Sequence, residues 1–488
     1  MDCNSITADN MRTSTALSLA LSLALLPLAT SATGPLAHVA HQEPPHPQQN
    51  RVQININAAQ GPTSTPAAPP VPTPLMMGYY PDWTAFAPEQ IDFARFDWVD
   101  FAFAVPAAPT AAALLTWDDP RAPDLLARLV AAAHAAGRRA KLSIGGWTGS
   151  AHFSALLATP ASRSAFATSV AGVYAQYGVD GVEFDWEYPG EAGAPGNGVA
   201  RADSAHFLEF LGELRGALPR GAVVTAAVQS APFAGPDGAP LADVRAFAGV
   251  LDWVLVMNYD VWGSSANPGP NAPLYDRCGN STQPGASALA AFAQWTAAGF
   301  PAAQLVLGVP AYGYVSRSAA TRLVQRRGAV NRRASKKNKS KGKADADADA
   351  AGDVEVKPED EGDDGGQVMF AELVAQGALL RHPPPPSPPA NPADPQLAAY
   401  TAAGGYTRRW DACSSTPFLT SLPSSSPNPN PQVIAYDDPQ SVWMKAAFAR
   451  RAGMLGVNVF DVHGDVPQWD LVDAARAGLG LPAVGAGN

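Results

Sequence analysis

Cysteine, histidine and charge are all scarce in this chain. Three cysteines and eight histidines stand among 488 residues, and charged side chains make up 16% of them. There is no His-Glu-x-x-His and no Cys/His cluster, so neither a metal nor any other cofactor is expected. Lys and Arg number 33 against 43 Asp and Glu, a formal net charge of −10. Nucleic-acid binding needs a basic surface, so no such partner is expected. No glycine-rich phosphate loop follows the first apolar segment, which argues against an open doubly wound nucleotide-binding sheet.

No apolar run is long enough to cross a bilayer comfortably. The nearest is "ALSLALSLALLPLA" (16–29), which follows Arg12 and ends in the small residues "TSA" (30–32). This is the pattern of a signal peptide over 1–32, and the residues before Met11 add nothing to it. The mature protein is then expected to be secreted and extracellular, with no membrane attachment after cleavage. Residues 33–74, rich in Pro, Ala, Thr and Gln, read as an extended linker. Cys3 leaves with the signal, and Cys278 and Cys413 remain as an even pair in an oxidising compartment. A disulfide between them is expected, two free thiols being the alternative. The sequon at Asn280 suits a glycosylated surface loop, and a second one at Asn338 lies inside a basic run.

From Leu75 onward, short apolar runs recur. They are "LMMGYY" (75–80), "WVDFAFAV" (98–105), "RAKLSIGG" (139–146), "VDGVEFDWE" (179–187), "VVTAAVQS" (223–230), "WVLVMNYD" (253–260), "LVLGVPAYGY" (305–314) and "MLGVNVFDV" (454–462). Ala/Leu-rich stretches of helical period separate most of them. Strands alternating with helices imply parallel pairing through right-handed crossovers. Eight such units predict an α/β fold, a (β/α)8 TIM barrel over 75–482. A long interval before the eighth run predicts a small α+β insertion subdomain at 315–432. Within it, residues 322–366 carry a basic block and then an acidic one, which reads as a disordered, solvated loop.

The run around residue 183 carries the chemistry. Glu183, Asp185 and Glu187 alternate with Val182, Phe184 and Trp186. On a strand, alternate residues share a face. The acids would therefore climb one column inside the barrel toward its carboxyl-terminal mouth, where such barrels place their active sites, and the apolar residues would face the helices. Three carboxylates in one column cannot all ionise, so at least one should hold a proton at neutral pH. A protonated carboxyl at the mouth is what a general acid requires.

"DGVEFDWEYPG" resembles the D-G-x-D-x-D-W-E signature of family 18 chitinases. "KLSIGGW" (141–147) resembles the family's S-x-G-G motif, and "MNYD" (257–260) its M-x-Y-D motif. "GYY" on the first strand and "AYDDPQSVWMK" before the eighth also match. The resemblance points to the secreted fungal-type branch. It implies retaining hydrolysis of β-1,4 N-acetylglucosamine linkages in which the sugar's own acetamido oxygen attacks C1, an exception to the two-carboxylate scheme. Glu187 would protonate the leaving oxygen and then activate water. Asp185 would orient the acetamido group and stabilise the oxazolinium ion, and Tyr259 would hydrogen-bond the same acetamido oxygen. Tyr79 and Ser143 would hydrogen-bond Glu183. Met257 and Asp260 would shape the cleft, Tyr188 would lie near the reacting sugar, and Trp147 would stack on the leaving-group side. The partner implied is chitin or its oligosaccharides, met by a monomer.

Two positions depart from the family pattern. Glu183 stands where the family has Asp, which would push that carboxyl about one methylene toward Asp185; the proton sharing between them should persist, in a changed geometry. Phe460 stands where the family has the Trp that floors the reacting subsite. Catalytic residues alone do not separate a chitinase from an endo-β-N-acetylglucosaminidase acting on N-glycans. A non-catalytic chitin-binding lectin on the same scaffold is the alternative outside the enzyme class; such lectins typically lose the acid, and Glu187 is present.

Overall fold

The structure, a computed structural model, describes residues 74–108, 115–323, 354–358, 366–385, 397–421 and 431–485. The expected signal peptide, nearly all of the linker, Asn338 and most of the charged loop lie outside the described residues.

Eight strands run parallel: β1 (Leu75–Pro81), β2 (Trp98–Pro106), β3 (Arg139–Gly145), β4 (Gly181–Asp185), β5 (Val223–Val228), β6 (Trp253–Val256), β7 (Leu305–Pro310) and β8 (Gly456–Phe460). Each pairs with the next, and β1 pairs with both β2 and β8, so the sheet closes into a barrel. An open sheet is thereby excluded. Helices follow most strands, among them Ala122–Ala135, Pro160–Tyr177, Asp203–Ala217, Ala288–Ala297, Pro439–Arg451 and Asp470–Leu479. The β1–β2 connection holds only the short turns Pro88–Gln90 and Phe93–Arg95.

Local sequence fixes where the helices begin. Thr159 accepts the Ser162 N–H and Pro160 takes the first position of its helix, where a missing N–H costs nothing. Asp438, Pro439 and Ser441 repeat the device before the eighth strand. Outside the barrel, Val182, Phe184 and Trp186 face the helices as expected. Phe184 meets Phe166, Phe207 and Phe210, and Trp186 stacks on Phe153. Inside, a separate apolar cluster contains Met77, Tyr79, Trp98, Ala102, Trp253, Leu255 and Val306.

Three strand boundaries differ from the sequence reading. Strand β4 ends at Asp185, so Glu187 stands two residues past it. Strand β6 ends at Val256, which places Met257, Tyr259 and Asp260 on the following loop. The seventh run is two strands: β7 stops at Pro310, and Tyr312–Arg317 belongs to a second sheet. Between them Ala311 donates its N–H to Phe460 and accepts from Phe370, and there the chain leaves the barrel. Both strands are largely buried, so their apolar residues read as one unbroken segment.

That second sheet has five antiparallel strands in the order Gln367–Met369, Tyr312–Arg317, Gln432–Ala435, Thr416–Ser421, Tyr406–Asp411. The helix Phe370–Ala375 and the hairpin pair Leu379–His382 with Ala399–Ala402 accompany it. All lie between β7 and β8 in the chain, an α+β insertion in the expected place. Cys278 and Cys413 are joined, with Cα atoms 5.3 Å apart, and tie the segment after β6 to the insertion.

Candidate active site

Glu183 and Asp185 point into the barrel from β4, with 0% and 4% of their surface exposed. Glu187 follows at the rim, where its backbone N–H donates to the Ser150 hydroxyl at 2.9 Å. Asn197 clamps the same rim, donating to the carbonyls of Trp147 at 3.0 Å and Glu187 at 3.2 Å. The glycine pair of "SIGG" explains itself here. Gly145 has φ +118°, and a Cβ on it would stand 2.2 Å from the Asp185 carbonyl oxygen. Gly146 has φ +83° and donates to that same carbonyl at 2.8 Å. Only residues without a side chain let β3 approach the end of β4 this closely.

Asp185 is held back from ionising. Burial raises the Asp185 carboxyl well above the usual carboxylate range, and the charges of Glu187 and then Glu183 raise it further. Its Oδ1 is buried without a hydrogen-bond partner. The phenols of Tyr79 and Tyr259 are likewise pushed up, by burial first and then by the surrounding carboxylates, so both stay neutral donors.

Glu183 does not behave as the sequence suggested. Its Oε1 accepts from the Tyr79 hydroxyl, as expected. Its Oε2 accepts from Lys141 Nζ at 3.0 Å and from the Thr225 hydroxyl at 2.9 Å. Ser143, expected to be a partner, makes no hydrogen bond with its buried hydroxyl. The reason lies in side-chain length and register. Ser143 is level with Glu183, whereas Lys141 pairs with Gly181, one pleat closer to the barrel floor. The longer Glu side chain turns toward that lysine instead of extending toward Asp185. Lys141 continues to Asp100 Oδ2 at 3.3 Å, which also accepts from Asn458 at 2.7 Å. Beneath it lies Trp253, its ring centroid 5.0 Å from the ammonium. Lys141, Asp100, Thr225 and Asn458 were all missed by sequence reasoning. The available signal was a pair of opposite charges at inward positions of two adjacent apolar strands.

Aromatic rings line the mouth. Phe460 ends β8 half-buried, with ring centroids 5.1 Å from Tyr79, 5.8 Å from Tyr259 and 6.3 Å from Tyr312. Trp147 and Tyr188 meet edge-to-face at 6.5 Å, and the Trp147 indole N–H has no acceptor. Asp260, at φ 56°, accepts from Tyr312 at 2.6 Å and Tyr314 at 2.7 Å, both from the inserted sheet. The insertion is thus fastened to the rim beside Tyr259. Met257 packs half-buried against the interior apolar cluster. Trp83, 38% exposed, stacks on Phe103 at 6.0 Å and extends the aromatic line outward; the sequence reading did not single out either ring. The predicted site residues thus line one mouth of the barrel; of the two bonds expected to Glu183, that of Tyr79 is made and that of Ser143 is not. Among the described residues, no group of His, Cys, Asp or Glu could hold a metal.

The model of glycosyl hydrolases family 18 matches residues 75–465. The chain belongs to that family. A chitinase-like effector of Moniliophthora roreri is 34% identical over 422 residues, covering 83% of this chain and 93% of the effector. Chitinase A1 of Niallia circulans is 29% identical over 341 residues, 66% of this chain and 40% of that protein. The crystal structure of a chitinase from Rhizomucor miehei superposes with a TM-score of 0.63 at 28% identity, over 83% of this chain and 99% of the other. The family 18 barrel accounts for the strand order and the carboxylate column alike.

Proposed function

We propose that this family 18 protein is a secreted chitinase that hydrolyses β-1,4 N-acetylglucosamine linkages with retention. The observation that carries this reading is the seat of the proton. Asp185 is buried between Glu183 and Glu187, and burial and their charges push its carboxyl well above the usual range, while Glu187 stands at the rim where a sugar bridge can reach it. As substrate binds, the proton held by Asp185 passes to Glu187, which delivers it to the glycosidic oxygen as that bond breaks and leaves Asp185 anionic. The sugar's acetamido oxygen forms the new bond to C1, giving an oxazolinium ion. Asp185 orients the acetamido group and offsets the ion's charge, and the neutral Tyr259 hydroxyl donates to the acetamido oxygen. Glu187, now a carboxylate, takes a proton from the water that attacks C1 and returns it to Asp185, which restores the resting site. Phe460, Trp147, Tyr188 and Trp83 supply flat apolar surface for the C–H faces of successive sugars. Every group needed comes from one chain, in keeping with a monomer. Secretion is supported by the apolar run at 16–29 and by the Cys278–Cys413 disulfide.

A second reading, chitin binding without turnover, is favoured by one observation. The Glu183 carboxylate is occupied by Lys141 and Thr225, away from Asp185. Release of reducing ends from colloidal chitin and from a fluorogenic chitotrioside, by wild type and Glu187→Gln in parallel, separates the two. Turnover that falls about 10²-fold or more in the variant, with binding kept, supports hydrolysis. Chitin binding by a wild type that never cleaves supports the second reading.

A further inference from the structure

The charge cluster at the barrel floor belongs to no step above. Lys141 is fully buried, with 0% side-chain exposure, as are Asp100 and Glu183 on either side of it. A buried ammonium is costly unless its hydrogen bonds and charge are answered. Here Nζ donates to Glu183 and Thr225 and lies against Asp100. Burial works against its charge, but the two carboxylates outweigh burial and hold its pKa above the ordinary lysine value. Asp100 is a weakened acid. Its carboxyl is pushed up to about 7 by burial, against the pull of Lys141.

Glu183 is held by three hydrogen bonds. Tyr79 from β1, Lys141 from β3 and Thr225 from β5 fill both of its oxygens. The remaining titratable groups facing this region are Asp100 on β2, Asp185 and Glu187 above it, and Tyr259 across the mouth. Lys141 can only donate, and Thr225, which itself accepts from Lys141, is left to donate its own O–H, so Oε2 receives both hydrogen bonds and is turned to the floor.

We propose that Lys141 is a positioning residue: pinned between Asp100 and Glu183, it holds the Glu183 carboxyl turned to the barrel floor and away from Asp185, so the column's proton resides on Asp185 and is not shared. The geometry stands by itself, and the consequence for turnover rests on the hydrolytic reading. With Glu183 turned to the floor, Asp185 has no carboxyl partner below it, and its unpartnered oxygen remains available to the acetamido group. A lysine that merely balanced charge would leave the proton's location unchanged once the balance was restored by other means.

Infrared spectroscopy of protonated carboxyl groups on the alkaline side of pH 7, where Asp100, at about 7, is ionised, on substrate-free protein, reads that location directly. Wild type is compared with Glu183→Gln and Asp185→Asn, and the same two changes are made in Lys141→Met/Asp100→Asn. That double variant removes one buried charge of each sign, so the cluster's net charge is kept. The expected result is a carboxylic-acid band in wild type that Asp185→Asn removes and Glu183→Gln leaves. In the double variant, a band removed by Glu183→Gln appears. With turnover followed in parallel, kcat on a chitotrioside falls about 10-fold or more while KM changes about twofold or less. The proposal is overturned if Glu183→Gln removes a band in wild type, or if the double variant keeps the wild-type pattern. Should the double variant not fold, the wild-type comparison alone decides. Absence of turnover with the expected bands overturns the hydrolytic reading and leaves the proton assignment standing.

Discussion

The carbonyl of Asp185 lies 2.2 Å from the place a Cβ would take on Gly145. Gly145→Ala therefore meets both a positive φ and a backbone atom that cannot move without displacing Asp185 itself. We expect a loss of at least about 2 kcal/mol. Turnover should fall further than the remaining folded fraction explains, because the end of β4 is displaced. Thermal unfolding beside specific activity checks this; a variant with the wild-type melting temperature would show that β3 and β4 can separate there freely.

Asp185 gives stability a pH dependence of known sign. Its pKa is raised in the folded protein, so the folded state holds a proton that the unfolded chain releases. Stability from this group is full below the ordinary aspartate pKa and is lost as pH rises toward the folded pKa. Asp185→Asn removes that loss. The variant should match wild type in acid and exceed its melting temperature increasingly as pH rises to neutral. A gap that stays constant from pH to pH would contradict the protonated assignment.

Phe460 touches three tyrosines, and its ring forms the centre of the aromatic floor. Replacement by Ala removes that surface while leaving the carboxylates in place. Affinity for chitooligosaccharides, measured calorimetrically on an otherwise inactive Glu187→Gln background, should fall about 10- to 100-fold. Unchanged affinity would place the sugar elsewhere.

The Cys278–Cys413 bond closes a segment of 135 residues. Cys413→Ser should cost about 3–5 kcal/mol by the chain-entropy account. Wild type treated with reductant should melt at the same lowered temperature as the variant. If neither change moves the melting temperature, the insertion is held by its sheet and by the Asp260 bonds alone.

Much of this was legible in the sequence because strand periodicity is simple. Alternation around Phe184 put acids on one face and apolar residues on the other, and the barrel followed from eight such segments. What escaped was whatever depended on contacts between strands. Lys141 and Asp100 lie forty-one residues apart in sequence and meet only because β2 and β3 pair, with Asp100 level with Lys141. Thr225 looked like an ordinary strand residue until Glu183 turned toward it. Tyr312 and Tyr314 were hidden in an apolar run that changes sheets at Ala311, a junction that burial on both sides conceals.

The closure of β1 against β8 also sets an order in time. Asp100, Lys141, Glu183 and Thr225 are all present once β5 has been synthesised, but Asn458 and Phe460 arrive only with β8. A nascent chain therefore carries its buried charges for more than half of its length before the last wall exists to seal them. Domains of this size fold with populated intermediates. The charged floor and the aromatic rim are accordingly finished last, so a chain truncated before residue 456 would hold every carboxylate of the column yet have no working cleft.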